Sequence, residues 1–131
     1  MEEALRAKLL ETVALKALVD TRVDWGLRPQ GSALPGVALF GVTGIPGMTM
    51  TGASGWTRSR VQIDVWGRTY KAARDVADTI AGEGGALVGF RGTVREVRLR
   101  TFILGRRTGD DTDAQGPIFR QSIDVLVWHA N

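Results

Sequence analysis

The chain has 131 residues and a formal net charge of +3, with 44% hydrophobic and 24% charged residues. This composition is typical of a folded domain and too apolar for a disordered chain. The chain contains no cysteine and one histidine, which excludes disulfides, thiol nucleophiles, cysteine-bound metals and a multi-histidine metal centre within one chain. No apolar run approaches the roughly 20 residues of a membrane-crossing helix, and the acidic start Met1-Glu2-Glu3 differs from a secretory signal or transit peptide.

The first half of the chain predicts one helix and one short strand. Apolar residues recur at helical spacing over residues 2–19, which predicts the first helix. Residues 24–35 contain two prolines and two glycines and are predicted to form an irregular connector, followed by a strand over 37–42. Residues 43–55 are rich in glycine and threonine, which predicts a mobile loop or hairpin tip that carries Met48 and Met50.

The second half predicts three further strands and a helix. Apolar and polar residues alternate over 57–66, 95–104 and 118–129, as in half-buried strands, and a polar loop is predicted between Arg106 and Gly116. Thr69 is a good N-cap for a second helix that Gly82 ends. We therefore expect an α+β fold: a four-stranded, mainly antiparallel sheet with two helices packed on its Val/Ile face, in the order α-β-β-α-β-β.

The second face of this sheet has the composition of a protein interface. Aromatic, aliphatic, arginine and acidic residues alternate with the Val/Ile face, namely Trp66, Trp128, Phe102, Leu126, Arg60, Arg98, Arg100, Asp64 and Asp124. Aromatic residues and arginine are enriched at protein contacts. The alternative is that a loop or the N-terminal connector folds over these rings.

Charge is clustered in the last third of the chain. Arginine is frequent from Arg91 to Arg107, and an acidic segment with Asp110, Asp111 and Asp113 follows directly. Opposite charges on one surface suit a head-to-tail contact between copies, although a solvated surface of mixed charge is the alternative. Reversing the charges of Arg106 and Arg107 is expected to weaken such a contact.

The catalytic motifs are incomplete, and we expect no enzyme. The segment Gly52–Trp56 approaches a nucleophile elbow but has Trp56 where the closing glycine is needed. The segment Asp111–Gly116 begins like an EF-hand loop, yet it continues with Pro117 and has Ser122 in place of the bidentate glutamate. His129 is the only histidine and is interpreted as a strand-end residue. No catalytic, cofactor-binding or metal-binding residue is predicted.

Several segments together match a known family. They are the helix Glu2–Val19, the stretch Val23-Asp24-Trp25-Gly26, the run Pro29–Pro35, the strand Arg60–Trp66 with the helix Tyr70–Arg74, and the ending Phe119–His129. In these segments the chain resembles the small tail-completion, or tail-terminator, proteins of long-tailed bacteriophages and phage-like gene transfer particles. The resemblance covers nearly the whole chain and implies a single tail-terminator-like domain over residues 1–131.

The resemblance implies a virion structural protein at the junction of tail and neck, assembled in the host cytoplasm. Such a protein forms a ring, generally of six copies, at the head-proximal end of the tail tube. It ends tube polymerisation and offers a surface to the neck. The implied partners are other copies, the tail tube protein and a neck or head-completion protein, with DNA only as non-specific cargo and no membrane.

Residues on both charged segments, in the glycine-rich loop and among the tryptophans are expected at contacts with copies or partners. They are Met48, Met50, Trp66, Arg98, Arg100, Arg106, Arg107, Asp110, Asp111, Asp113 and Trp128. Two other functions stay open from the residues. One is a head-closure or neck connector ring, and the other is a small nucleic-acid-binding module that stacks bases on the Arg/Trp face.

Overall fold

Two long β-hairpins form the centre of one mixed sheet in the computed structural model, which describes residues 2–26, 35–49, 52–113 and 116–130. The elements in these ranges are α1 (Glu2–Glu11), α2 (Val13–Val19), β1 (Val23–Trp25), β2 (Gly36–Thr49), β3 (Gly52–Gly67), α3 (Tyr70–Ala81), β4 (Arg91–Val94), β5 (Val97–Asp113) and β6 (Gly116–Ala130). The strand order is β1-β2-β3-β6-β5-β4. β1 is parallel to β2, and all other neighbours are antiparallel.

The predicted fold class is therefore wrong. The described sheet has six strands and is mixed, with three helices, instead of four antiparallel strands with two helices in the order α-β-β-α-β-β. The two strands absent from the prediction are the edge strands β1 and β4, of three and four residues. A strand of three or four residues is too short to show a recognisable alternation. Its position in the sheet is set by backbone hydrogen bonds to its neighbour.

The two segments predicted as loops between strands are largely strand. β2 and β3 stay paired out to Thr49 and Gly52, and β5 and β6 stay paired out to Asp113 and Gly116. The prediction of a polar loop from Arg106 to Gly116 is thus wrong for its described residues. Glycine and polar residues indicate that a segment buries little side-chain area. The backbone N–H and C=O groups of the two arms of a hairpin still form hydrogen bonds with each other.

The predicted first helix is broken at Thr12. The backbone of Thr12 is extended, with φ −74° and ψ 109°, between α1 and α2. Its hydroxyl donates a hydrogen bond to the carbonyl oxygen of Lys8 at 3.0 Å. Such local side-chain bonds compete with regular helix hydrogen bonding, which is why threonine is a poor residue inside a helix.

The predicted Val/Ile face is the buried face of the sheet. Val61, Ile63 and Val65 of β3 are fully buried. They pack in one core cluster with apolar residues of all three helices, among them Leu5, Leu9, Leu15, Val19, Val76 and Ile80. α3 contacts the central strands β3 and β6, whereas α1 contacts both β1 and β4. Because β1 and β4 are opposite edges of the sheet, the sheet curls around its helices.

The helix α3 begins as its sequence predicts. The hydroxyl oxygen of Thr69 accepts a hydrogen bond from the Ala72 backbone N–H at 3.0 Å, so Thr69 is the N-cap. Gly67, the last residue of β3, lies against the first turn of this helix. A Cβ atom at Gly67 would stand 2.7 Å from the backbone nitrogen of Ala73, which leaves no room for a larger residue.

We predict that Gly67→Ala lowers the free energy of unfolding by about 1–2 kcal/mol, because the backbone of α3 must move to admit a methyl group. Gly41→Ala is the matched control, since a Cβ atom at Gly41 meets nothing within 4 Å. Chemical denaturation of both variants and the parent chain measures the difference. Equal stability of the two variants would show that α3 shifts at no cost.

Candidate interaction surface

The side of the sheet opposite the helices, called the open face below, carries alternate residues of β3, β5 and β6. In β3 these residues are Trp56, Arg58, Arg60, Gln62, Asp64 and Trp66. In β6 they are Arg120, Ser122, Asp124, Leu126 and Trp128. Successive strand residues point to opposite faces, so the burial of the intervening Val and Ile side chains under the helices places this mixed set on the other side.

Two aspartates form the polar centre of the open face. Asp64 accepts hydrogen bonds from the hydroxyl of Ser122 at 2.7 Å and from the amide of Gln62 at 3.0 Å. Asp124 accepts from Arg107 at 2.7 Å and from Arg60 at 3.3 Å. As whole residues, Asp64 and Asp124 are 6% and 8% exposed, and a buried carboxylate requires such partners. The centre is thus a fixed network.

An arginine lies over an aromatic ring at four places around this network. The guanidinium carbon is 5.5 Å from the ring centroid for Arg120 on Trp66 and 5.6 Å for Arg58 on Trp128. For Arg98 on Trp56 it is 4.7 Å, and for Arg100 on Phe102 it is 5.7 Å. These distances are within the range of cation–π attraction, which favours a fixed position of each guanidinium beside its ring.

Three of these four contacts lie at one end of the sheet. Strand pairing puts Arg58 beside Trp128 and Trp128 beside Arg100, with Trp56 and Arg98 one step further along the same face. We call these five residues the arginine–aromatic patch. The side chains of Arg58, Arg98 and Arg100 are exposed, and the rings of Trp56 and Trp128 are half-buried. The patch therefore presents cationic and apolar surface together.

The predicted acidic segment lies at the other end of the sheet. The pairing of β3 with β6 ends at Gly67 and Phe119, but β5 and β6 continue past it to Asp113 and Gly116. Asp110, Asp111 and Asp113, called the acidic tip below, are in this overhanging part of the hairpin. Asp110 is exposed. The predicted acidic residues and the predicted Arg98 and Arg100 are consequently far apart within one chain.

The predicted contact residues Arg106 and Arg107 point to opposite faces. Arg106 donates to Asp78 of α3 at 2.8 Å and to Gln121 at 3.0 Å on the helix side. Arg107 donates to Asp124 and Gln62 on the open face. A β-bulge between Ile103 and Gly105 shifts the register and alters the alternation just before this pair. Each arginine is already bound within its own chain.

The remaining predicted contact residues are placed as follows. Trp66 and Trp128 are half-buried on the open face, at opposite ends of its central network. Met48 belongs to the overhanging arm of the β2–β3 hairpin, where its backbone pairs with Ala53, and Met50 lies outside the described residues. Trp56 and Arg58 are missing from the predicted set, because their neighbours Arg98 and Trp128 come from other strands and only the register reveals them.

One further feature lies on the helix side of the sheet. Ser59 and His129 are hydrogen-bonded at 3.0 Å beside a shallow depression that Glu2, Glu3 and Arg95 also line.

In the ranges that the structure describes, no three His, Cys, Asp or Glu side chains come together as metal ligands do. None of the described helices is long and apolar enough to cross a membrane.

Comparison with known proteins identifies a family and solved chains of similar fold. The model of the family described as "Tail completion protein gp17" matches residues 3–130. A solved chain from the "Virion of native gene transfer agent (GTA) particle" is 21% identical with a TM-score of 0.76, over 100% of this chain and 95% of that chain. A second solved chain, 18% identical over 100% of this chain and 96% of its own, has a TM-score of 0.48, which supports no argument. No curated protein sequence matches.

Proposed function

We propose that this chain, which belongs to the tail completion protein gp17 family, forms a ring that ends the tail tube at its head-proximal end and joins the tail to the neck. Family membership makes the chain a structural component of a phage-type virion tail, where it associates with other tail and head proteins. The specific proposal is a ring of six copies, each a single tail-terminator-like domain over residues 1–131. Its partners are the tail tube protein and a neck protein, and it has no catalytic activity.

The open face is the observation that supports this proposal. A ring subunit needs two different surfaces that fit each other on neighbouring copies, as well as surfaces for the tube and the neck. The open face offers rigid aromatic side chains with arginine, which is the composition of contact surfaces between proteins. Its polar centre is internally bonded, so a partner can cover that centre without leaving the charges of Asp64 and Asp124 unpaired.

Electron microscopy of particles assembled without this chain tests the proposal. We expect overlong or ragged tails beside DNA-filled heads without tails, because nothing stops tube growth or joins the two parts. Supplying the chain again from a plasmid is the control and restores tails of uniform length. Tails of normal length beside heads that leak DNA would instead assign the chain to head closure in the neck.

Intact, infectious particles in the same experiment would contradict both structural roles. Binding of the purified chain to a free oligonucleotide would then be measured over a range of salt concentrations. A steep fall in affinity with salt is the behaviour of a nucleic-acid-binding module. A ring that DNA only passes through does not need to bind a free oligonucleotide.

A further inference from the structure

We propose that the acidic tip of one copy binds the arginine–aromatic patch of the next copy, so that the ring closes through a head-to-tail contact. The inference rests on the proposed ring and names the residues of its subunit interface. The two surfaces differ in chemistry and occur once each on every chain. A contact of this heterologous kind closes into a ring when the rotation between copies allows it.

The first step concerns the arginines of the patch, which have no acidic partner among the residues that the structure describes. Arg60, Arg106 and Arg107 each form an ion pair within the chain. Arg58, Arg98 and Arg100, in contrast, contact aromatic rings, and no described carboxylate pairs with them. An arginine has five N–H donors, so one that contacts a ring can still donate hydrogen bonds to a carboxylate. The patch is therefore able to bind acidic groups of another chain.

The second step is that the acidic tip has the matching charge and extends beyond the end of β3 in the described sheet. It contains three aspartates within four residues. In the described sheet, β5 is paired only with β6 at these positions, beyond the end of β3. The exposed Asp110 has no ion pair among the described residues. The formal charge of the three aspartates in the tip is complementary to that of the three arginines in the patch.

The third step is that the contact cannot form within one chain. Asp110 is paired with Phe119 of β6, whereas Arg100 is paired with Trp128. These partners are nine positions apart on β6 (128 minus 119), which is about 30 Å at the rise of an antiparallel strand. The tip and the patch therefore lie at opposite ends of the β5–β6 pair. For them to meet between copies, the strands must run mainly around the ring circumference.

A charge exchange tests this contact in complementation of particles that lack the chain. One variant reverses the patch (Arg98→Glu with Arg100→Glu), and a second reverses the tip (Asp110→Lys, Asp111→Lys and Asp113→Lys). We expect each to reduce the fraction of tails with uniform length by about tenfold or more, since like charges then face each other. A third variant that carries all five changes restores attraction, and we expect it to recover to within about threefold of the parent chain.

The matched control reverses two exposed cations on α3, with Lys71→Glu and Arg74→Glu, which changes the net charge as much as the patch variant does. We expect it to complement as the parent chain does. Circular dichroism confirms that all variants fold. If the variant with all five changes is as defective as the patch and tip variants, or if the patch variant complements fully, the proposed contact is wrong.

Cysteine cross-linking separates this inference from the proposed function. Because the chain has no cysteine of its own, Asp110→Cys and Arg98→Cys place the only two thiols at the two surfaces. A short bifunctional thiol reagent applied to assembled particles is expected to link copies into a ladder beyond the dimer. The pair Asp110→Cys and Arg74→Cys is the control and is expected to give none.

If the cross-linked ladder forms but particles without the chain have tails of normal length, the contact between copies stands and the terminator function is wrong. If no ladder forms but tails of uniform length require the chain, the proposed contact is wrong. The function would stand, and the tip or the patch would serve the tube or the neck. Each result thus decides one of the two proposals.

Discussion

Ile63→Ala is expected to lower the free energy of unfolding by about 2–5 kcal/mol, the range typical of truncating a fully buried aliphatic side chain. Ile63 is fully buried in β3 and is paired with Leu39 of β2 on one side and Ile123 of β6 on the other, both fully buried as well. Truncation leaves a cavity at the centre of the sheet, beneath the helices. The surrounding side chains are close-packed and cannot fill that cavity fully. Packing contacts are therefore lost in addition to the free energy gained by removing the deleted atoms from water.

Thermal and denaturant unfolding of the purified variant measures this loss. Val42→Ala is the control, because Val42 is 50% exposed and lies at a β-bulge of β2. A loss below about 0.5 kcal/mol is expected there. Similar losses for Ile63→Ala and Val42→Ala would contradict the assignment of the Val/Ile face as the core.

Asp124→Ala is expected to cost about 2 kcal/mol, mostly by leaving two arginines without their carboxylate. Asp124 receives hydrogen bonds from Arg60 and Arg107, and its side chain is only 11% exposed. The arginines are about half exposed and regain water when the carboxylate is removed, which is why the cost stays below that of a fully buried pair. Asp124→Asn keeps the side-chain shape and one acceptor oxygen, so we expect a smaller loss in the free energy of unfolding than for Asp124→Ala.

The comparison for Asp124 is Asp75 on α3. Asp75 also pairs with two cations, Lys71 and Arg74, but its side chain is 41% exposed. Exposed ion pairs contribute little to stability, so Asp75→Ala is expected to change the free energy of unfolding by less than about 0.5 kcal/mol. Equal effects at the two positions in urea unfolding would mean that the open-face network adds nothing beyond surface ion pairs.

Local sequence patterns predicted the elements that have strong local signals. The alternation at Val61, Ile63 and Val65 identified the buried face of β3, because side chains in a strand alternate whatever their partner strands are. Thr69 marked the start of α3, since an N-cap acts on backbone groups three residues away. The long resemblance across the chain likewise identified the family that the family model confirms.

Edge strands and strand ends could not be predicted in the same way. β1 and β4 are defined by pairing with β2 and β5, and neither has enough residues to show a period. The hairpin arms continue through glycine, threonine and aspartate because the partner strand supplies the hydrogen bonds. Composition alone predicts that a strand ends where its apolar residues end, and the backbone hydrogen bonds continue past that point.

The sequence by itself determined which residues alternate and where α3 begins, because these signals depend on residues close together in the chain. It also determined the family, because the matching segments extend along nearly the whole chain. Only the tertiary structure decided that Arg106 faces the helices and Arg107 the open face, since a single bulge in β5 exchanges the faces of all side chains that follow it. It also decided that Arg98 lies over Trp56 and that the acidic tip is at the far end from the patch. Register between strands distant in sequence sets these distances, and it results from packing the whole sheet around its helices.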